Sequence, residues 1–264
     1  MSLTRYIYAF AQGFNVSFIA SGTTGSGKSY LLEGNRTEPG LILYSGETLF
    51  NHMEKKRSDA SGSRRISGFN YTVRIKYVEI IDEEVSDLLS TNFNTDLIKV
   101  VNNDWEGPSI VNATWITVSS ISEYNDFFLR GMANRNKNAN EFGRLSTKAT
   151  ALFTVELTQL TDLAESNEQI VSISKFCFID LPGVEILDES QETVENRQGP
   201  TLNKSIFSFN NLVNQLAANT GSLVLYDTST LGTLMRDALG GNAYTLAIHT
   251  LQYGDLRGSA VNLK

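Results

Sequence analysis

The chain has 264 residues, of which 41% are hydrophobic and 19% charged, a balance that fits one globular domain with a sizeable core. Its formal net charge of −7 makes free nucleic acid and acidic membrane surfaces poor partners, and no apolar run approaches the roughly 18 residues that span a bilayer. The single cysteine, Cys177, excludes an internal disulfide and lies in an apolar run, so we expect it to pack in the core.

The first predicted strand, residues 15–20, leads directly into the sequence GTTGSGKS at residues 22–29. A helix is predicted to open at residues 29–32. The glycines let backbone N–H groups turn toward phosphates without clashes of Cβ atoms, which makes an anion-binding nest. Lys28 supplies a charge for the β- and γ-phosphates, and the Ser29 hydroxyl is placed to ligate Mg²⁺. The strand and helix on either side favour a true P-loop over a chance glycine-rich turn.

The middle of the chain alternates strand-like and helix-like segments. Residues 71–80 are β-branched and aromatic with period two, the pattern of a strand. Shorter strands are predicted at residues 97–101 and 114–118. Residues 122–135 have apolar side chains at helical spacing, with their first residue, a serine, as the N-cap.

Two further strands, residues 151–160 and 171–181, are predicted to pair across a polar loop. The second strand contains Asp180 near its end. A P-loop site needs such an aspartate, which holds the Mg²⁺ shell. A strand-end aspartate is common by itself, but the P-loop favours the functional interpretation.

Helices are predicted at residues 201–218 and 229–239, the second closed by a Gly-Gly-Asn C-cap, and residues 245–251 form a last strand. Because both element types alternate, the sequence predicts an α/β fold with three layers, in which a central mixed, mostly parallel sheet carries helices on both faces. Residues 1–264 contain no internal repeat and no second domain, so a single domain is expected.

Several segments resemble the motor domain of the kinesin family. In chain order they resemble the family motifs IFAYGQTGSGKTY, EIYNEEIRDLL, DLAGSE, INKSL and DSLGGN, at residues 18–30, 79–89, 180–185, 202–206 and 237–242. Other P-loop NTPases share only the first motif. The resemblance implies ATP or ADP with Mg²⁺ as the cofactor and tubulin in microtubules as the partner.

The resemblance also implies the roles of individual residues. Nucleotide contacts are implied for the loop and the aromatic residue after it, which would lie near adenine: Gly22, Thr23, Thr24, Gly25, Ser26, Gly27, Lys28, Ser29 and Tyr30. Mg²⁺ ligation, in part through water, is implied for Ser29, Thr147 and Asp180. The implied catalytic set comprises the switch residues Ser146, Thr147, Lys148, Gly183 and Glu185.

The switch segments depart from the family pattern in ways that affect catalysis. Lys148 stands where the family has an arginine that pairs with the switch II glutamate, here Glu185. A lysine can form the ion pair but lacks the planar bidentate fork, so closure of the site should be looser. Pro182 replaces an alanine and removes a backbone donor from a loop that must move. We therefore expect nucleotide binding with slow hydrolysis.

The surface implied to bind microtubules is also altered. Residues 226–234 align with the family's YRDSKLTRLL, and all three basic residues of that motif are replaced by neutral or acidic ones. The preceding loop adds negative charge at Asp188, Glu189, Glu192 and Glu195. Tubulin is strongly acidic, so each lost cation weakens the attraction.

Residues 52–68 are polar, basic and rich in serine and glycine, which predicts a mobile surface insertion. Its basic residues offer a different contact for an acidic partner: Lys55, Lys56, Arg57, Arg64 and Arg65. A solvated loop is the favoured interpretation.

Both ends are short of the family pattern. Kinesin heads begin with a strand carrying an Arg-x-Arg-Pro segment, and here only a few residues precede Tyr6. The segment that joins the last strand to the final helix in the family is missing between Ile248 and His249. We therefore expect the sequence to be incomplete at its N-terminus and near the last helix.

Two functions remain open. The first is a kinesin-like, microtubule-associated motor domain in the cytoplasm and cytoskeleton, with weak or lost ATPase-driven motility. The alternative is a nucleotide-binding pseudo-motor that serves as a structural or docking module in a cytoskeletal assembly, such as a ciliary axoneme, with protein partners there. Neither function involves nucleic acid or a membrane.

Overall fold

The structure is a computed structural model that describes residues 3–35, 37–81, 83–91, 98–103, 107–141, 149–166, 168–183, 204–218 and 224–252. The helices are α1 (Thr4–Ala11), α2 (Lys28–Glu33), α3 (Leu41–Ser61), α4 (Ile121–Glu141), α5 (Lys204–Ala218), α6 (Thr230–Leu234) and α7 (Arg236–Gly240). The strands are β1 (Val16–Gly22), β2 (Ile66–Ile81), β3 (Glu84–Asp87), β4 (Lys99–Asn103), β5 (Gly107–Val111), β6 (Ile116–Val118), β7 (Thr150–Leu163), β8 (Gln169–Asp180) and β9 (Tyr244–Thr250). Within these residues, no helix combines the length and apolarity that crossing a membrane requires.

In the described part of the chain, the central sheet has seven strands in the order β3-β2-β7-β8-β1-β9, with β6 paired to β2. β1 runs parallel to both β8 and β9, whereas β7 is antiparallel to β2 and β8. It follows that β2, β8, β1 and β9 point in one direction, and β3, β6 and β7 in the other. The sheet is therefore mixed, and the predicted pairing of the two strands on either side of the polar loop is confirmed as β7–β8.

Each inner strand contributes alternate side chains to two hydrophobic cores, one on each face of the sheet. On one face Phe18 and Phe153 pack with residues of α1, α3 and α4. On the other face Ile19 and Leu152 pack with residues of α6 and α7. Cys177 in β8 is partly buried against the second core, as predicted. The three-layer α/β arrangement is confirmed.

The interpretation of residues 52–68 as a mobile surface insertion is wrong. Helix α3 continues to Ser61, Met53 and Ala60 are buried, and β2 begins at Ile66. The helical signal lies further upstream, where Ile42, Leu49, Phe50 and Met53 share the buried face at spacings of three, four and seven. The polar residues of this segment that belong to α3, such as Lys55 and Arg57, lie on the exposed side of the helix.

Two helix boundaries also differ from the sequence-based expectation. Helix α4 begins at Ile121, and its first turn is capped by Ser120, whose Oγ accepts a hydrogen bond from the Glu123 N–H at 3.2 Å. Ser122 is therefore inside the helix and is not the N-cap. The helix predicted at residues 229–239 is two short helices that meet at Met235, with Ser229 as the cap of the first.

The packing of α3 against α4 predicts a large effect of a small substitution at Gly46. A Cβ atom there would lie 2.4 Å from Cε1 of Tyr124, a fully buried ring whose hydroxyl donates to the Ile42 carbonyl. We expect Gly46→Ala to lower the free energy of unfolding by about 1–3 kcal/mol, because overpacking outweighs the helix preference of alanine. Urea denaturation measures this change.

Gly62→Ala is the matched control. Gly62 follows α3 in a right-handed conformation, and the nearest atom to an added Cβ is 3.8 Å away. The free energy of unfolding of the Gly62→Ala variant should stay within about 0.5 kcal/mol of that of the unsubstituted protein. Equal stability of the two variants would contradict the close contact of α3 with α4.

Candidate functional site

The loop between β1 and α2 has the backbone of a phosphate cradle. Gly25 and Gly27 adopt positive φ angles of +80° and +98°, which other residues rarely tolerate. A Cβ atom at either position would meet nothing within 4 Å, so the glycines are needed for the backbone conformation and the space beside them is open. Ser26 closes the turn, because its N–H donates to the Thr23 carbonyl at 3.2 Å.

Lys28 lies across this loop. Its Nζ donates to the carbonyl oxygens of Gly22 at 3.1 Å and of Thr23 at 2.8 Å, and only 7% of the residue is exposed. Burial lowers the pKa of Lys28, and the nearby charge of Asp180 opposes that shift. An ammonium group in this place can exchange its carbonyl partners for phosphate oxygens, which carry more charge.

The two predicted cation ligands on described elements are in direct contact. Ser29 Oγ at the start of α2 donates to Asp180 Oδ2 at 2.6 Å. Asp180 is 4% exposed, and its Oδ1 has no hydrogen-bond partner among the described residues. A buried carboxylate oxygen without a partner fits a water molecule of a Mg²⁺ shell, since Mg²⁺ keeps several of its waters. Ser29 and Asp180 therefore form a donor set suited to this cation.

Gly183, beyond the end of β8, presses against the P-loop. A Cβ atom at Gly183 would lie 1.9 Å from Thr24 Oγ1 and 2.7 Å from Thr24 Cα. Close approach of the two backbones is possible only because residue 183 is glycine. Leu181 joins the same contact, as its N–H donates to the Ala20 carbonyl at 3.1 Å. The segment after Asp180 is thus held beside the loop that would carry the phosphates.

These residues surround a cleft of about 350 Å³ that includes Lys28, Ser29, Asp180 and Gly183 in its lining. Tyr30 also lines the cleft; it is half exposed, and its hydroxyl donates to Glu38, which raises the pKa of Tyr30. The remaining predicted switch residues lie outside the described residues: Ser146, Thr147, Lys148 and Glu185.

A buried ionic cluster beside the cleft was not predicted. Arg135 on α4 contacts three carboxylates: Glu33 at 2.7 Å, Glu79 at 3.3 Å and Asp180 at 3.4 Å. The Tyr77 hydroxyl donates to Glu33 at 2.9 Å. We call these five residues the Arg135 cluster. It joins α2, β2, β8 and α4 around the aspartate of the cleft.

Burial, opposed by the charge of Arg135, explains the pKa shifts in the Arg135 cluster. Burial raises the pKa of Glu33, and the charge of Arg135 opposes this. Burial also raises the pKa of Tyr77. The sequence contains a signal for the cluster, because Arg135 continues the buried face of α4 set by Tyr124, Phe128 and Gly131, and a cation on such a face requires acidic partners.

The end of β9 also reaches the P-loop. The His249 ring lies with Nδ1 3.0 Å from Ser21 Oγ, and Thr250 Oγ1 is 2.6 Å from Ser26 Oγ. Burial lowers the pKa of His249, and the charge of Lys28 adds to this effect. The sequence gives no local signal for these contacts, since more than 220 residues separate the partners.

Comparison with known proteins identifies the family. The model of the kinesin motor domain matches residues 2–257. The chain belongs to the kinesin family. Its likeness to kinesin motifs at the P-loop and after β8 thus extends over nearly the whole sequence.

Relatives and a solved structure agree with this kinesin assignment. Kinesin-related protein 1 of Dictyostelium discoideum is 33% identical over 92% of this chain, and Kinesin-like protein KIF16B of Homo sapiens is 31% identical over 96%. The chain spans only 11% and 20% of those two proteins. The solved structure of a fast kinesin has a TM-score of 0.81 at 24% identity, covering 98% of this chain and 72% of that one. This last likeness shows the kinesin fold.

The Arg135 cluster predicts a strong dependence of stability on its single cation. Arg135→Met leaves the carboxylates of Glu33, Glu79 and Asp180 without the guanidinium that they share. We expect a loss of about 3–5 kcal/mol in the free energy of unfolding at pH 7, measured by urea denaturation. The pKa of Glu33 is already raised by burial and should rise further in the variant. Protonation at lower pH then favours the folded variant, so the loss should shrink at pH 5.

Arg57→Met is the control for this variant. Arg57 pairs with Glu54 at 3.2 Å, but the two side chains are 46% and 57% exposed. Solvent screens such a pair, so its loss should cost less than about 1 kcal/mol. A similar small effect of Arg135→Met would show that the cluster is not needed for the fold.

Proposed function

We propose that this kinesin-family chain binds ATP or ADP with Mg²⁺ at the cleft beside α2. The observation that carries the proposal is the contact of Ser29 Oγ with Asp180, whose second oxygen is buried without a partner among the described residues, next to the open glycine loop. Lys28 would hold the β- and γ-phosphates, and Tyr30 would lie beside the base. Residues 1–264 would act as one motor-type domain.

Within the proposed site, Ser29 and Asp180 would hold Mg²⁺ together with Thr147. When bound, Mg²⁺ would supply positive charge that offsets the negative charge of the β- and γ-phosphates. Gly183 would direct its N–H toward the γ-phosphate, as its close approach to Thr24 supports. Ser146, Thr147, Lys148 and Glu185 would close the site around the attacking water.

We propose that hydrolysis in this site is slow. Holding the phosphates requires backbone N–H groups and one cation, and the described loop has both. Closing the site requires an ion pair with fixed geometry, for which a lysine such as Lys148 lacks the bidentate fork of arginine. Pro182 supports the same conclusion, since it removes a backbone donor beside Gly183. The expected outcome is firm nucleotide binding with little turnover.

The proposed partner is the microtubule, bound weakly through α5 and α6. Helix α5 contains a single charged residue, Lys204, and α6 contains none. Phe207, Val213 and Leu216 of α5 are exposed in the described part of the chain. A face with one cation offers little long-range attraction to acidic tubulin. We place the protein in the cytoplasm and on the cytoskeleton, with no nucleic acid or membrane as partner.

The second candidate function is a nucleotide-binding pseudo-motor that docks in a cytoskeletal assembly such as a ciliary axoneme. Lys148 in place of arginine and the scarcity of charge on α5 and α6 favour it over a motile enzyme. Its partners would be other proteins of that assembly.

A steady-state ATPase assay with and without microtubules distinguishes the two functions. For a motor domain, even a slow one, we expect microtubules to stimulate turnover tenfold or more, a change in barrier of at least about 1.4 kcal/mol. Stimulation of tenfold or more would exclude the pseudo-motor. ADP retained on the purified protein without turnover would support it.

Lys28→Ala should abolish nucleotide binding, because the variant loses the cation that meets the phosphates. The measurement is titration of a fluorescent ADP analogue in the presence of Mg²⁺. Lys55→Ala, which removes an exposed cation of α3, should bind like the unsubstituted protein. If affinity survives the change at Lys28, the cleft is not the nucleotide site.

Removal of Mg²⁺ tests the cation ligands separately from the phosphate cradle. Chelation with EDTA should weaken binding of the same analogue by about tenfold or more, since the phosphates lose their main counter-charge. Ser29→Ala should make affinity less dependent on Mg²⁺ and leave the EDTA value nearly unchanged. A Ser29→Ala protein with full Mg²⁺ dependence would remove Ser29 from the proposed ligand set.

A further inference from the structure

We propose that Thr250, the last residue of β9, is a positioning residue for the P-loop. It would act through Ser26, keeping the turn at residues 23–27 in the open form that accepts phosphates. The inference rests on the proposed nucleotide binding and adds to it a residue far away in the sequence.

The sheet brings Thr250 to the loop. β1 and β9 are parallel, with Ser21 opposite His249 and Gly22 opposite Thr250, so both strands end at the same edge. There, Thr250 Oγ1 lies 2.6 Å from Ser26 Oγ and 3.2 Å from the Ser21 carbonyl. Thr250 thus connects the beginning of the loop to its middle.

The hydroxyl of Ser26 completes the connection. Ser26 Oγ donates to the Thr23 carbonyl at 2.7 Å, beside the bond from the Ser26 N–H to the same oxygen. A hydroxyl has one proton and two acceptor sites. The proton of Ser26 is used on Thr23, so Thr250 must be the donor in its contact with Ser26 Oγ. Its one proton could also go to the Ser21 carbonyl, but the contact with Ser26 Oγ is much shorter, at 2.6 Å against 3.2 Å, so Ser26 Oγ is the preferred acceptor. A network of hydrogen bonds therefore runs from Thr250 through Ser26 to Thr23.

This network matters most when Lys28 leaves the loop. Lys28 Nζ contacts the Gly22 and Thr23 carbonyls in this structure, and it must give up those bonds to reach phosphates. The bonds of Ser26 to Thr23 and of Thr250 to Ser26 do not involve Lys28, so they can persist when it moves. A loop held in advance avoids the ordering cost that binding would otherwise carry.

Steric crowding supplies a second, independent observation. Gly22 has a φ of +143°, and a Cβ atom there would lie 2.4 Å from the Thr250 carbonyl oxygen, 2.6 Å from its Oγ1 and 2.8 Å from Ser26 Oγ. The ends of β1 and β9 are therefore in tight contact. The ring of His249, 3.0 Å from Ser21 Oγ, adds a contact one residue earlier.

Isosteric substitution tests the role of the hydroxyl. Thr250→Val keeps the shape and removes the donor, so affinity for the fluorescent ADP analogue should fall five- to tenfold. Thr250→Ser should restore it to within twofold. Thr245→Val is the control, since Thr245 is also in β9 but its hydroxyl donates to the Ala238 carbonyl. It should leave affinity unchanged even if it lowers stability.

A double-mutant cycle tests whether Thr250 acts through Ser26. Ser26→Ala alone and Ser26→Ala with Thr250→Val should lose the same affinity, because the second change removes a bond already broken. Additive losses would overturn the proposed route. Unchanged affinity of Thr250→Val, with binding intact in the unsubstituted protein and lost in Lys28→Ala, would overturn the positioning role.

Hydrogen exchange separates this inference from the proposed function. In nucleotide-free protein, the backbone amides of Gly25, Ser26 and Gly27 should exchange faster in Thr250→Val than in Thr245→Val. Faster exchange in Thr250→Val, found together with no nucleotide binding by the unsubstituted protein or by any variant, would support the role of Thr250 in positioning the loop. The same result would refute nucleotide as the ligand. Equal exchange in the two variants would refute the positioning of the loop.

Discussion

The parallel pairing of β1 with β8 is the constraint on which the cleft depends. Its register sets Ala20 opposite Asp180, and the Leu181 N–H extends the pairing by donating to the Ala20 carbonyl. The two strands leave the sheet at one edge, as parallel strands must. The glycine loop and the segment ending at Gly183 therefore start side by side and pack against each other. This placement brings Ser29 into contact with Asp180. A one-residue slip of β8 would turn Asp180 to the other face.

The Arg135 cluster adds interactions at this edge that stability alone does not require. Burying an arginine with three carboxylates gains little net stability over apolar packing of the same volume, because each charge loses its water. The cluster does fix Asp180, which shares Arg135 with Glu33 on α2 and Glu79 on β2. Strand, P-loop helix and α4 are thereby held to one another at the cleft. The arrangement is better explained by the requirements of the site than by those of the fold.

Sequence patterns identified the parts of the cleft that are continuous in the chain. The P-loop and the strand ending at Asp180 carry their own signals, since glycine spacing and apolar runs report local backbone conformation. Arg135 and Thr250 were missed because their roles depend on partners distant in sequence, which the sheet brings together. Helix α3 was misread for a different reason: polarity on its exposed side was taken for a loop, although Leu49 and Met53 mark a buried face. The spacing of apolar residues along the sequence identifies a surface helix better than its overall polarity does.

Holding a nucleotide and hydrolysing it make different demands on a chain of this family. Holding depends on backbone N–H groups, a lysine and a cation site, all close together in space and tolerant of small shifts. Hydrolysis depends on groups that must meet across the cleft with fixed geometry, where a lysine for an arginine changes both distance and direction. In the proposed site, Pro182 and Lys148 would belong to the second group and the glycine loop to the first. On this proposal, the chain keeps the groups that tolerate small shifts in position and has changed groups that need fixed geometry.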